Sequence, residues 1–464
     1  MYQSINQSEG SKMSQNSIEQ AVKDRHIYMT TTPIRKLIVR LAIPTIISML
    51  VTGLYSMADT FFVGRISTNA TAAVGIVFSL MSMIQAIGFF CGQGSGTFVS
   101  RRLGAGDIRE ANEMAATGFF LAFGLGLIVS VIGQLTVRPL ALLLGATPVI
   151  LEDTVAYMRF ILIGAPFMMS QLVVNNQLRF QGSAVYAMAG LVSGALLNIV
   201  LDPLFIFVFK MGVAGAALAT ILAQIISFFV LLYGSYQGPN IRIHIKNVRP
   251  SGHYLLQIVN GGTPSLFRQG LASITTIILN STAASLGGEA AIAAMSVVSR
   301  VMMLAISALI GFGQGFQPVC AFNYGAGLKA RVREAYWFCV KYGTAFLLVM
   351  ATLCFIFSGS IIGFFRDDPE VIAIGRVALR CQAFIFPLNA SVVIANMMMQ
   401  SMGKGVKASV LAAGRNGLFF IPCVLILTRL FGLTGLEMSQ ACADFLTFLM
   451  MIPLTHSILR ELNG

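Results

Sequence analysis

Residues 72–106 recur without a gap at 293–327, an offset of 293 − 72 = 221. Ala72-Ala73 returns as Ala293-Ala294, Gly92-Gln93-Gly94 as Gly313-Gln314-Gly315, and Gly104-Ala105-Gly106 as Gly325-Ala326-Gly327. Pro166 and Pro387 hold the same register, while Gly212 and Gly215 meet Gly432 and Gly435 one residue short of it. The chain is therefore two similar halves. In an apolar chain such a duplication points to two lobes with a path between or within them.

This chain is apolar. With 56% hydrophobic residues, 11% charged residues and a mean hydropathy of +0.79, it cannot hide its apolar surface in one soluble core and belongs in a bilayer. Twelve segments are long enough to span, at about 20 residues each. They are predicted at 35–63, 70–99, 111–144, 148–180, 184–209 and 212–237, then 254–286, 289–320, 331–363, 369–402, 405–430 and 433–459. The expected fold is an all-α membrane protein of twelve transmembrane helices in two six-helix lobes. Six is even, so both lobes enter the membrane in the same direction and are related by a pseudo-two-fold along the membrane normal. The divisions are a polar tail at 1–32, a first lobe at 33–237, a linker at 238–253 and a second lobe at 254–464.

A net charge of +13 could suggest nucleic acid, but the basic residues alternate with the loops instead of forming one face. One side collects Arg35, Lys36, Arg40, Arg101, Arg102, Arg109, Arg179, Arg242, Lys246, Arg249, Lys329, Arg331, Arg333, Lys404, Lys407 and Arg460. The other has chiefly Arg65, Arg138, Lys210, Arg366 and Arg429. By the positive-inside rule both termini and the linker face the cytoplasm, and nucleic acid is not a partner. The tail is rich in Ser, Gln and Asn without an apolar signal core, so it reads as disordered. Seven cysteines lie in apolar segments with no paired spacing, which implies neither disulfide nor metal. No GxxxxGK[ST] occurs and the loops are short, which argues against ATP-driven transport.

Ionisable groups inside spans are costly and mark candidate sites. Asp59 precedes Arg65 by six residues, about 9 Å along the first span, and Asp202 precedes Lys210 by eight, about 12 Å along the fifth. Asn198 shares a helix face with Asp202. Thr220 on the sixth span and Tyr157 on the fourth reach a similar depth, about 12–13 Å. Two carboxylates in low dielectric with amide, hydroxyl and phenol neighbours are equipment for a proton or a dehydrated sodium ion. Read singly, Asp59 could instead be a helix-end acid, and Asp202 could satisfy backbone freed by Pro203. Pro44 removes a backbone bond from the first span, giving either a static bend or a kink that depends on Asp59.

The second half carries different charges. Asn280 and Cys423 stand opposite Asp59 and Asp202, and the apolar segments hold Arg268, Arg300, Arg415 and Asp444. Asp444 is expected to pair with Arg415 or Arg300, as a structural ion pair or as part of substrate recognition.

Several motifs together resemble the multidrug and toxic compound extrusion (MATE) family, and most of all its bacterial DinF-like branch. They are Pro44, Ala58-Asp59-Thr60-Phe61-Phe62-Val63-Gly64, Gly104-Ala105, Leu197-Asn198-Ile199-Val200-Leu201-Asp202-Pro203, Gly212-Val213-Ala214-Gly215-Ala216-Ala217 and Asn323-Tyr324-Gly325-Ala326. The resemblance covers about Pro33 to Leu459. It implies a V-shaped, twelve-helix antiporter of the bacterial inner membrane that trades a proton or sodium ion for amphiphilic, often cationic, compounds. It also implies a coupling-ion site at Asp59, Asn198, Asp202 and Thr220, with Tyr157 and Asn175 nearby. The chain departs from relatives with a second cation site, having Arg268 and Gln269 on the seventh span and Asn389 and Asn396 on the tenth. The expected protein is a monomer, uses no cofactor beyond its coupling ion, and is not an enzyme. The rival readings are a lipid-linked oligosaccharide flippase of the same wider superfamily and a membrane enzyme acting on lipids. The scatter of His26, His244, His253 and His456 opposes the enzyme.

Overall fold

A computed structural model describes residues 20 and 22–463. A short helix α1, residues 22–31, precedes the first lobe. That lobe comprises α2 (Ile34–Gly64), α3 (Thr68–Gly104), α4 (Ile108–Leu135), the short α5 (Val137–Leu143), α6 (Leu151–Phe180), α7 (Ala184–Pro203) and α8 (Gly212–Ser235). The second lobe begins with α9 (Gly252–Gly325), 74 residues long, which breaks at Gly287 and Gly288, where Gly288 takes φ 59°. Only glycine enters that region readily, so α9 is two spans. Then follow α10 (Lys329–Ile356), α11 (Ser358–Phe365), α12 (Pro369–Ile385), α13 (Leu388–Ser401), α14 (Gly405–Ala413), α15 (Phe420–Phe431) and α16 (Leu433–Asn463).

Ten of these helices are long and apolar enough to cross a membrane, with α14 and α15 counted as one. The break in α9 adds an eleventh span, and the α12–α13 pair, bent by 57°, makes the twelfth. The expected twelve-span, all-α architecture is the one observed. The bend follows Phe386 and Pro387, whereas the matching Pro166 sits inside an unbroken α6. Against Pro166 the partner helix presents Gly126, where a Cβ would come within 2.5 Å of the Pro166 Cα. The position 221 further on is Leu347, a fully buried leucine clustered with Phe386 and Ala390. One proline therefore has two outcomes.

Backbone contacts locate the symmetry axis. A Cβ on Gly104 would lie 2.0 Å from the carbonyl oxygen of Phe322, and one on Gly325 would lie 2.0 Å from that of Arg101. Gly104 and Gly325 are repeat partners, as are Arg101 and Phe322, so the contact is reciprocal, as a two-fold requires. The same duplication appears inside each lobe. Asn175 Nδ2 donates to the Ala187 carbonyl at 2.9 Å, and Asn396 Nδ2 donates to the Ala408 carbonyl at 2.6 Å.

The lobes meet at the end that carries the basic loops. Every residue of α3 from Cys91 to Ser100 is buried, and so is every residue of α9 from Gly313 to Phe322. Toward the other end α2 has no buried residue between Met49 and Phe62. The two lobes thus form a V closed at the basic end.

One expectation about the first helices needs correction. The described part of the tail is not disordered: Met29 is 1% exposed, Arg25 donates to Asn240, Pro239 and Ser183, and Asn323 and Arg331 donate to the Met29 and Thr32 carbonyls. Packing against both lobes and the linker holds this segment helical where polarity alone suggested coil. Pro44 lies inside α2, which continues past it. Beside it, the Thr45 hydroxyl donates to the Gly311 carbonyl across the lobe interface at 2.6 Å.

Candidate functional site

Three helices of the first lobe each contribute polar residues one turn apart: Tyr55 and Asp59 on α2, Asn198 and Asp202 on α7, Thr220 and Gln224 on α8. Residues four apart share a face, so each helix presents a polar strip to its neighbours. Small residues bring two of the strips together. Gly194 of α7 faces α8 so closely that a Cβ would sit 2.8 Å from the Ser227 Cβ. Ser227 donates to the Gly190 carbonyl at 2.6 Å and accepts from Gln171 Nε2 at 2.7 Å, which ties α6, α7 and α8 together.

Asp202 is fully buried at the last turn of α7, and Pro203 behind it leads into a single π-helical turn, Leu204–Val208. Proline lacks the N–H that would continue the ladder, so the helix widens there. Asn198 Nδ2 donates to Asp202 Oδ1 at 3.3 Å and to Thr220 Oγ1 at 3.4 Å. Asp59 and Asp202 lie within electrostatic reach of each other, and the phenols of Tyr55 and Tyr157 lie within reach of both. Asp59, Asn198, Asp202, Thr220 and Tyr157 are therefore brought together. The Asn175 amide nitrogen is committed to the α6–α7 contact that Asn396 duplicates in the other lobe.

Three buried oxygens in this group have no hydrogen-bond donor among the described residues: Asp59 Oδ1, Asn198 Oδ1 and Asp202 Oδ2. An unmet buried acceptor costs about 1–3 kcal/mol, more when charged. A proton on a carboxylate, or a small hard cation taking oxygen ligands, would satisfy such a set. Next to it is a cavity of about 50 Å³ lined by Thr52, Tyr55, Gln171, Asn198, Thr220 and Gln224. That volume holds a few waters or an ion and is far below the 300 Å³ or so that a drug-sized ligand needs. Tyr55, Gln171 and Gln224 were not singled out from sequence. The spacing of four that linked Asn198 to Asp202 also links Tyr55 to Asp59 and Thr220 to Gln224, and would have found two of them.

In the second lobe Arg415 Nε donates to Asp444 Oδ1 at 2.9 Å, Asn389 Nδ2 to Oδ2 at 2.7 Å, and Gln440 Nε2 to Oδ1 at 2.9 Å. This carboxylate is fully engaged. Arg415 reaches it from a π-helical turn, Gly414–Leu418. Arg300 is not the partner and not buried; it lies exposed, because an apolar segment can still turn one face to the open cleft or the surface. Arg268 is partly buried, donates to Ser265 at 3.3 Å and lies within electrostatic reach of Arg179 across the interface. The four residues read as one polar network form a tight Arg415–Asp444 centre with Arg268 and Arg300 outside it.

Twelve spans in two related lobes that close at one end, with a polar cluster among the helices of the first lobe, define a multi-pass membrane transporter of duplicated architecture. The MatE family model matches residues 44–204 and 264–426, one block in each lobe. The chain belongs to the MatE family. It is similar to the multidrug export protein MepA of Staphylococcus haemolyticus, 25% identical over 445 residues that cover 95% of this chain and 98% of that protein. MepA of Staphylococcus aureus is 26% identical over 429 residues, covering 92% and 94%. Among solved structures, the outward-facing conformation of a multidrug resistance MATE family transporter of the MOP superfamily superposes with a TM-score of 0.88 at 27% identity, covering 94% of this chain and 98% of that one.

Proposed function

We propose that the protein is a secondary active antiporter of the bacterial cytoplasmic membrane that exports amphiphilic, often cationic, small molecules in exchange for a proton or sodium ion. The observation that carries this reading is the cluster of unmet buried acceptors at Asp59, Asn198 and Asp202 beside an ion-sized cavity. Ion binding there supplies the differential affinity that a change between lobe arrangements requires. Tyr55, Tyr157, Thr220 and Gln224 complete the polar wall, and Pro44 gives α2 a weak point below Asp59. The kinship with multidrug export proteins and the collection of positive charge at the closed end, taken as cytoplasmic, support the direction of export. In this assignment the V opens outward and both termini lie inside.

The test is efflux of ethidium from proteoliposomes under an imposed proton or sodium gradient, with wild type, Asp59→Asn and Asp202→Asn. Transport that follows one gradient and vanishes in both variants supports the reading and names the ion. Unchanged transport in the variants sinks it.

A further inference from the structure

At the basic end, away from the acid pair, α1, the α3–α4 turn and the inter-lobe linker enclose a cavity of about 440 Å³. Its rim carries Lys23, Arg25 and His26 from α1, and Arg242 and His244 from the linker. Among the described residues, none of Lys23, Arg25 and Arg242 pairs with a carboxylate. Arg25 is lowered by burial to about 10, so it stays a cation at neutral pH. The walls are apolar, formed by Leu103, Ile108, Ile241 and Phe322. A positively charged rim over apolar walls selects an amphiphilic anion.

The surroundings indicate where that anion comes from. Tyr233 and Tyr236 at the end of α8 are 68% and 40% exposed, Ile27 on α1 is 56% exposed, and Ile245 in the linker is 71% exposed between Arg242 and Lys246. Exposed tyrosine and isoleucine interleaved with lysine and arginine are the dressing of a membrane–water interface. A cavity at that level lies where anionic headgroups are concentrated.

We propose that this cavity is a binding site for the phosphodiester headgroup of an anionic membrane lipid, held by Lys23, Arg25 and Arg242 with the first methylenes of its acyl chains against the apolar walls. Because α1 also touches both lobes, the bound lipid ties α1 to the linker and favours the state closed at the basic end. The site is independent of the acid pair, so its failure leaves ion-coupled export untouched, and the reverse holds too.

Isothermal titration of the detergent-purified full chain with dihexanoylphosphatidylglycerol tests it, with dihexanoylphosphatidylcholine and inorganic phosphate as separate arms. Lys23→Gln/Arg242→Gln is the variant, chosen because both side chains are exposed and outside the packed core. Saturable binding of phosphatidylglycerol, weakened at least about tenfold in the double variant, is expected. Slower amide exchange in residues 22–31 and 238–247 of wild type alone should accompany it. Equal affinity in the variant, or for phosphatidylcholine, would overturn the site. Inorganic phosphate binding as tightly as phosphatidylglycerol would overturn the lipid assignment in favour of a free anion.

Discussion

Replacing Asp202 with Asn keeps the side chain's shape and removes a buried ionisable carboxyl whose Oδ2 lacks a donor. Ion-driven export should fall to background in Asp202→Asn while the thermal midpoint holds or rises, since an unpaired buried carboxylate is itself destabilising. A fall in both would indicate a structural acid instead. Asn175 separates the two roles in the opposite sense: Asn175→Ala should cost about 1–3 kcal/mol through its unmet Ala187 carbonyl, and Asn396→Ala about the same, with ion dependence unchanged in each. Arg415→Ala should cost about 3 kcal/mol, and Arg415→Met with Asp444→Leu should recover most of it in thermal melts. Depth counting found most of the acid cluster from sequence because a helix rises by a fixed amount per residue, so shared depth is legible. Which residues face one another is not: nothing in the spacing shows that the Asn175 amide nitrogen turns to the Ala187 carbonyl. Arg300 shows the same gap, since apolar neighbours along a chain do not establish which way a side chain turns.

At the scale of elements, most span boundaries were legible because hydropathy and glycine mark them, but the predicted spans 111–144 and 331–363 ran past breaks into the separate short helices α5 and α11. The predicted limits 286 and 289 bracket the Gly287–Gly288 break inside α9. The bend at Pro387 was not legible, since Pro166 occupies the matching position without one and the difference lies in what packs against it. Helix α1 was missed for a related reason: its order comes from contacts more than 150 residues away in sequence, such as Arg25 with Ser183. Close packing of α3 on α9 depends on the absence of side chains at Gly104 and Gly325. Gly104→Val or Gly325→Val should therefore prevent the basic end from closing. The readout is increased labelling of a cysteine introduced at Ser100, which is fully buried when the lobes are closed. Labelling at the wild-type rate would show that the backbones part without effect.

For the whole molecule, alternation requires the lobes to separate at the end where they now touch. A Cβ on Gly261 would lie 2.8 Å from Thr97 Oγ1 across the interface, so cysteines at both positions, in a background lacking the seven native ones, should form a disulfide. Oxidised protein should lose turnover and regain it on reduction; full activity when oxidised would rule out rocking at this contact. The filled hydrogen-bond shell around Asp444 has a further consequence for energetics. With that carboxylate already neutralised by Arg415, Asp444 is not an acid free to take up and give back charge in each cycle. If that exchange is one monovalent ion for one monovalent drug, the cycle is electroneutral. Membrane voltage then contributes nothing to accumulation, and the chemical gradient of the coupling ion alone sets how far a drug can be expelled.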